Sequence, residues 1–249
     1  MNKLIIGILM IVSLIGCGQK TEVENTTKKV KKLYVGTNAE YKPYEYIENE
    51  KLVGFDIEFM EELAKNLEYE IEWKNMSFDG LLPALQTKKI DMVIAGMTPT
   101  EERKKAVDFT DTYYNSAQAI LVNKDTYGIE SLNDLKGKTV GVQLGTIQET
   151  MANDIEGVEI KRYNSFTGAI LELNNKKVDA VIVGEVVANN YLENNQKLKL
   201  AALLEDKQDG SAIAMNKGNE KLISELNEEI KKMKESGKYQ ELINKYFGG

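Results

Sequence analysis

The amino-acid sequence predicts an α/β protein built from two similar lobes, and two observations carry this prediction. Short apolar runs, typical of buried strands, alternate with helix-like stretches along most of the chain. In addition, segment 78–96 recurs as segment 166–184, with Phe, Gly, Leu, Lys-Lys, Asp, Val-Ile and Gly at identical spacing. Two lobes of similar topology are expected to face each other across a cleft, which is the usual place for a small-molecule site.

Composition excludes several classes of function. The 249 residues are 42% hydrophobic and 29% charged, which is ordinary for a soluble globular protein. The net charge of −7, with basic residues scattered among acids, argues against a nucleic-acid partner. The chain has no histidine, so Ser-His-Asp and Cys-His mechanisms are excluded. Carboxylate and lysine chemistry stay open, but we expect no enzyme, no metal, no cofactor and a monomer.

The first residues predict export and lipid anchoring. Lys3 precedes an apolar run, 4–15, that has the length of a secretory signal core and is short for a membrane span. The run ends in Leu-Ile-Gly-Cys, which resembles a bacterial lipobox with Cys17 as the lipidated residue. We therefore expect a signal peptide at 1–16, a polar tether at 17–32 and a chain held at the cell membrane by its lipid. A plain signal peptide or a single anchor helix is the alternative.

The first half of the chain reads as βαβ units. The predicted elements are a strand at 33–36, a helix after the N-cap Asp56, a strand at 70–73, a helix from 81 and a strand at 92–95. Thr98 then stands three residues before Glu101 with Pro99 between them, which predicts a capping box and a helix start. Arg103 follows directly, so a guanidinium lies next to free backbone N–H groups. This corner suits a carboxylate-binding site, but on this stretch alone an ordinary strand-to-helix turn with a surface arginine is the favoured interpretation.

The second half repeats the pattern and returns to the first lobe. Strands are predicted at 117–122, 139–142, 198–203 and 211–215, and helices at 185–195 and 219–234, after which segment 239–247 closes the chain. Thr146 and Glu149 form a second capping-box pair after a strand. We expect lobe 1 to comprise 33–116 and 211–249 and lobe 2 to comprise 117–210, with hinge crossings near 115–117 and 210–211.

Over residues 33–247 the sequence resembles the polar-amino-acid family of extracytoplasmic solute-binding proteins, the receptors of ABC importers. The motifs that carry the resemblance are segments 35–44, 52–56, 91–103, 107–110, 140–149 and 237–239. The resemblance implies a periplasmic-binding-protein-like (type II) fold, in which two α/β lobes joined by two hinge strands close around one amino acid. It also implies delivery of that amino acid to a membrane permease.

The resemblance implies a set of ligand-binding residues. Arg103 is expected to hold the α-carboxylate, helped by Thr98 and by the backbone N–H groups of Thr146 and Ile147. The Gly96 carbonyl and the Thr98 hydroxyl are expected to accept from the α-ammonium. Tyr41 and Phe78 match an aromatic pair that sandwiches the ligand side chain, while the candidates for the far end of the pocket are Asn38, Glu40, Gln143 and Gln148. Core packing is the alternative for Tyr41 and Phe78, because Phe166 holds the same repeat position as Phe78, and a surface charge is the alternative for Glu40.

One position departs from the family pattern. The family usually has an acid after the second Val-Ile-x run, paired with the ligand ammonium, and this chain has Gly184 followed by Glu185. Three explanations for the missing acid are open. Glu185 reaches the ligand ammonium, a shifted loop supplies the negative charge, or the ligand is not a simple α-amino acid. We favour Glu185 and a polar or basic L-amino acid, with Lys, Arg, His and Gln open. The alternative function is a cyclohexadienyl-dehydratase-like enzyme on the same fold, with Glu185 as its acid.

Overall fold

The computed structural model describes residues 31–204 and 210–248. The described strands are β1 (Lys31–Thr37), β2 (Glu40–Tyr41), β3 (Glu45–Glu48), β4 (Lys51–Val53), β5 (Tyr69–Asn75), β6 (Met92–Val93), β7 (Val107–Phe109), β8 (Gln118–Asn123), β9 (Thr139–Gln143), β10 (Glu159–Tyr163), β11 (Ala180–Gly184), β12 (Leu198–Leu204) and β13 (Ala214–Asn216). The helices are α1 (Phe55–Asn66), α2 (Phe78–Gln86), α3 (Glu101–Ala106), α4 (Ile147–Asn153), α5 (Phe166–Asn174), α6 (Glu185–Glu193), α7 (Glu220–Glu235) and α8 (Lys238–Phe247).

Two five-stranded sheets confirm the predicted two-lobe α/β fold. The first sheet has the order β5-β1-β6-β13-β7 and the second has the order β10-β9-β11-β8-β12. Strands β5, β1 and β6 run parallel, as do β10, β9 and β11, while the strand that enters each sheet from the other lobe, β13 or β8, is antiparallel to its neighbours. The same layout in both sheets explains the repeat seen in the sequence.

The repeated segments adopt the same local structure. Each starts with a helix, α2 or α5, and then turns through a lysine with positive φ, Lys88 at 58° and Lys176 at 56°. The aspartate that follows accepts a backbone hydrogen bond from the neighbouring strand in each lobe, Asp91 from Tyr34 N and Asp179 from Thr139 N, both at 2.8 Å. The two copies differ near their ends, where Gly96 has a φ of 54° and Gly184 a φ of −59°, and β6 has two residues while β11 has five.

The chain crosses between the sheets at two adjacent places. It leaves the first sheet after Phe109 and returns before Ala214, and Tyr114 pairs with Ser211 where the crossings meet. Ser211 N donates to the Tyr114 carbonyl at 2.7 Å. Gly210 is required at this point, because a Cβ there would stand 2.1 Å from the Tyr114 carbonyl oxygen.

Two predicted helix starts were wrong, for tertiary reasons. Asp56 does not cap α1, because Gly54 takes that position while Asp56 lies buried inside the first turn. Thr98 does not cap α3 either. Thr100 is the N-cap, and its hydroxyl accepts from Arg103 N at 3.2 Å.

A small antiparallel sheet of β2, β3 and β4 was not predicted from the sequence. Strands β3 and β4 are joined through Asn49 and Glu50, both with positive φ, in a two-residue hairpin. At the other end, β1 starts at Lys31, two residues before the expected start of lobe 1. The predicted signal peptide, Cys17 and most of the tether lie outside the described residues. No helix in the described part of the chain is long and apolar enough to cross a membrane.

Candidate functional site

A cleft between the two sheets contains a cavity of about 40 Å³, and part of the cleft is open to solvent. Every residue of the predicted site lines this cleft except Glu40 and Glu185. The lining residues predicted from the sequence are Asn38, Tyr41, Phe78, Gly96, Thr98, Arg103, Gln143, Thr146, Ile147 and Gln148. Those not predicted are Tyr44, Glu45, Ala95, Ser116, Gln118, Phe166, Gly184, Gly210 and Ser211.

Arg103 spans the cleft from the first lobe. Its guanidinium donates one hydrogen bond to the Thr98 carbonyl and another to the Gly145 carbonyl of the second lobe, each at 2.8 Å. The guanidinium also lies over the Phe78 ring, 5.5 Å from its centre. Burial lowers the pKa of Arg103 to about 10, so the group stays cationic at neutral pH. Arg103 is therefore a fixed cation with a planar fork of donors, suited to a carboxylate.

The second lobe presents the start of α4 opposite Arg103. Thr146 caps this helix as predicted, because its hydroxyl accepts from Glu149 N at 3.3 Å. The Glu149 carboxylate accepts from Gly145 N at 2.7 Å, one residue before the N-cap, and so fixes the loop that Arg103 contacts. Thr146 and Ile147 therefore reach the cleft from a rigid corner.

Four buried amide side chains line the cleft and are paired. Gln143 Nε2 donates to Asn38 Oδ1 across the cleft at 2.9 Å, and Asn38 Nδ2 donates to the Met76 carbonyl at the same distance. Gln148 Nε2 donates to Gln118 Oε1 at 2.6 Å. These amides are neutral and can present either a donor or an acceptor to a polar ligand group.

Tyr41 explains why the second lobe has a glycine at 184. Its ring lies between Tyr44 and Phe166, with ring centres 5.4 and 5.1 Å away, and its hydroxyl accepts from Gly184 N at 3.1 Å. A Cβ at position 184 would stand 2.5 Å from this hydroxyl. The phenol of Tyr41 therefore occupies the space that a side chain at this position would need.

Glu185 does not line the cleft, which corrects the sequence-based preference for it. It is the first residue of α6, and its backbone N–H donates to the Ala117 carbonyl at 2.8 Å. The pKa of Tyr114 is raised by burial and then by the charge of Glu185, so this carboxylate faces the hinge. Glu40 is exposed on β2 and does not line the cleft either.

The acid that does line the cleft is Glu45, on β3. Its side chain is 1% exposed, and neither carboxyl oxygen has a hydrogen-bond donor among the described residues. Burial, followed by the nearby charge of Asp56, raises the pKa of Glu45 well above its ordinary value. Asp56 Oδ2 accepts from Gly96 N and from the Tyr113 hydroxyl, both at 2.8 Å.

The residues missed by the sequence analysis carried weak signals. Phe166 entered the sequence analysis only as the repeat counterpart of Phe78, and the repeat itself was the signal that both rings face the cleft. Glu45 sits between two tyrosines, and no periodicity marks it as buried. Gln118 and Ser211 lie at the hinge crossings. The sequence predicts a boundary between the lobes there, but it does not predict which way the side chains point.

Comparison with known proteins identifies the family. The family described as bacterial extracellular solute-binding proteins, family 3, matches residues 33–249. The chain belongs to this family. The arginine-binding extracellular protein ArtP of Bacillus subtilis is 42% identical over 242 residues, which cover 95% of this chain and 93% of that protein. A probable histidine-binding protein of Campylobacter jejuni is 38% identical and covers 94% of this chain and 93% of its own length.

Solved structures agree with this assignment. An ancestral arginine-binding protein bound to arginine superposes with a TM-score of 0.84 at 44% identity, over 87% of this chain and 98% of that one. The resemblance predicted from the motifs is therefore confirmed at the level of family and fold. The family fold also accounts for the position of the cleft, between two lobes and beside two chain crossings.

Proposed function

We propose that this chain binds a cationic L-amino acid, with arginine as the first candidate, in the cleft between its lobes. The observation that carries the proposal is the charge of the cleft: among the described lining residues, Arg103 is the cation and Glu45 is the acid. A ligand with a carboxylate at one end and a guanidinium or ammonium at the other matches both groups. A ligand without a carboxylate leaves Arg103 without a counter-charge, and a ligand without a cationic end leaves the buried oxygens of Glu45 without a donor, which is costly.

In the proposed pose the α-carboxylate takes the fork of Arg103, near Thr98 and the Thr146 corner. The side chain of the ligand lies along the ring of Phe78, since aromatic faces suit both aliphatic stems and cationic heads. Tyr41 does not offer a face in this pose, because its ring is packed between Tyr44 and Phe166. Its cationic end reaches the unpaired oxygens of Glu45. The Gly96 carbonyl and the Thr98 hydroxyl are left as acceptors for the α-ammonium.

The names of the relatives support this choice. The Bacillus subtilis relative is named for arginine and the Campylobacter jejuni relative for histidine, so both are named for amino acids whose side chains can carry a positive charge. The ancestral protein of known structure is described as bound to arginine. These names describe what those proteins bind. The presence of Arg103 and Glu45 in the cleft of this chain supports the proposal independently.

A thermal-shift screen of the twenty amino acids tests the proposal. A ligand at 100 times its Kd stabilises the folded state by about 2.7 kcal/mol, which gives a melting shift of several degrees. We expect the largest shift with L-arginine, a smaller one with L-lysine and none with L-glutamate. The absence of a shift with every amino acid would refute the proposal.

We propose that the chain is a binding protein rather than an enzyme. The dehydratase alternative rested on Glu185 as an acid beside the ligand, and Glu185 faces the hinge instead of the cleft. No described residue therefore favours that alternative. Incubation with prephenate or arogenate is expected to give no aromatic product, and product formation would reverse this conclusion.

The first residues of the chain and its family add cellular properties to the proposed function. We propose that the protein is exported, lipidated at Cys17, monomeric, without a nucleic-acid partner, and that it delivers its ligand to an ABC permease. Membership of an extracellular solute-binding family supports the export and transport roles. Labelling cells with radioactive palmitate tests the anchor: the wild-type chain should be labelled, and Cys17→Ser should lose the label and leave the membrane fraction.

A further inference from the structure

Two buried carboxyl groups meet beneath the cleft. Glu45 lies on β3 and Asp56 lies in the first turn of α1, and the backbone holds these elements together, since Asp56 N donates to the Tyr44 carbonyl at 2.9 Å. Both side chains are almost completely inaccessible to solvent, at 1% and 0% exposure. The two carboxyl groups are within hydrogen-bonding reach of each other. Two acids in a dry site cannot both ionise without a large penalty.

The hydrogen-bond partners show which acid carries the proton. Asp56 Oδ2 already accepts from Gly96 N and the Tyr113 hydroxyl, which favours the ionised form of Asp56. Three oxygens have no donor from any described residue: Asp56 Oδ1 and both oxygens of Glu45. A proton on Glu45, donated to Asp56 Oδ1, supplies the missing donor and removes one of the two buried charges.

No other described group around Glu45 and Asp56 supplies the positive charge that would make this proton unnecessary. The titratable side chains that face it are Tyr41, Tyr44 and Tyr113, and burial raises the pKa of each tyrosine, so they stay neutral. The cation of the cleft, Arg103, already donates to two backbone carbonyls. Burial raises the pKa of Asp56 to about 6, and it raises the pKa of Glu45 well above its ordinary value.

We propose that Glu45 is protonated before ligand binding and that the cationic end of the ligand displaces this proton. The O–H bond of Glu45 breaks, the proton passes to the solvent, and the resulting carboxylate accepts hydrogen bonds from the ligand cation. Binding thus releases one proton, and the ligand supplies the positive charge that the buried pair lacks. This inference rests on the proposed function, because it requires a cationic ligand at Glu45.

Calorimetry in two buffers tests the proton release directly. L-arginine is titrated into the wild-type protein at pH 7 in phosphate and in Tris, whose ionisation enthalpies differ. The measured heats should differ by the equivalent of about one proton per site, and Kd should fall up to tenfold per pH unit between pH 6 and 7. The matched control, Glu48→Gln, changes an exposed acid on the same strand and should behave as the wild type.

The variant Glu45→Gln should bind L-arginine more weakly and show the same heat in both buffers. Equal heats for the wild-type protein in the two buffers would overturn the inference while leaving the proposed function intact. If Glu45→Gln binds too weakly for calorimetry, the difference between buffers in the wild type decides the question alone.

Thermal melting without ligand tests the protonation of Glu45 separately from amino-acid binding. An acid with a raised pKa in the folded state stabilises the fold fully below its unfolded pKa, and the contribution is lost as the pH rises through the folded pKa. The Tm of the wild type should therefore fall relative to Glu45→Gln as the pH rises from 5 to 8. If no amino acid binds, this fall still supports a protonated Glu45, and parallel melting curves would contradict it.

Discussion

Replacing Arg103 by methionine should weaken amino-acid binding by about two orders of magnitude. The guanidinium is the cation of the cleft, and a carboxylate in its fork gains two charge-assisted hydrogen bonds of about 1.5–3 kcal/mol each. Arg103 also donates to two backbone carbonyls, which compete with the ligand for its N–H groups. We therefore take the lower end of this range for the two bonds together, about 3 kcal/mol. This loss corresponds to an increase of about 150-fold in Kd.

Isothermal titration with L-arginine measures this change, with two companion variants. Arg103→Lys keeps the charge but loses the planar fork, so its Kd should lie between those of the wild type and Arg103→Met. Lys104→Met is the matched control. It removes a surface ion pair with Glu101 from the same helix and should change Kd less than threefold. A Kd for Arg103→Met within threefold of the wild type would refute the role of Arg103.

The remaining predictions concern positions that the structure reassigns. Gly184→Ala should weaken ligand binding by about 5- to 150-fold, because its Cβ would meet the Tyr41 hydroxyl at 2.5 Å while that ring is packed between two others. The double variant with Tyr41→Phe should recover most of this loss in titrations, since the next atom is 3.6 Å away, and no recovery would count against the steric explanation. Thr100→Ala should lower the free energy of unfolding in urea by about 0.5–2 kcal/mol, and Thr100→Ser should not.

The fold could be predicted because its signals are local and repeated. Apolar runs of strand length alternate with helical patterns, and the copies at 78–96 and 166–184 share even the lysine at the tight turn. The helix start at Thr146 was correct, because the Thr146 hydroxyl accepts from Glu149 N, and Glu149 reaches back to Gly145 N while it also pairs with Arg162. At Thr98 the same pattern failed, since the Thr98 carbonyl is bound by Arg103 and the helix starts two residues later.

The electrostatics of the cleft could not be predicted, because they depend on contacts between distant parts of the chain. Glu45 is buried by the small β2-β3-β4 sheet and by α1, and nothing in its neighbours along the chain marks it. Glu185 was the expected acid because it follows Gly184 directly. The first turn of α6 instead directs it to the hinge.

The comparison of L-arginine with L-citrulline tests the central claim most directly. Citrulline has nearly the same shape, but its ureido group is neutral, so it cannot supply a positive counter-charge to the Glu45 carboxylate. By titration calorimetry the wild-type protein should bind arginine at least about 100-fold more tightly, since truncating one partner of a buried charge pair costs about 3 kcal/mol or more. In Glu45→Gln the two affinities should converge. Equal affinities for the two ligands in the wild-type protein would contradict a cleft built around Glu45 and Arg103.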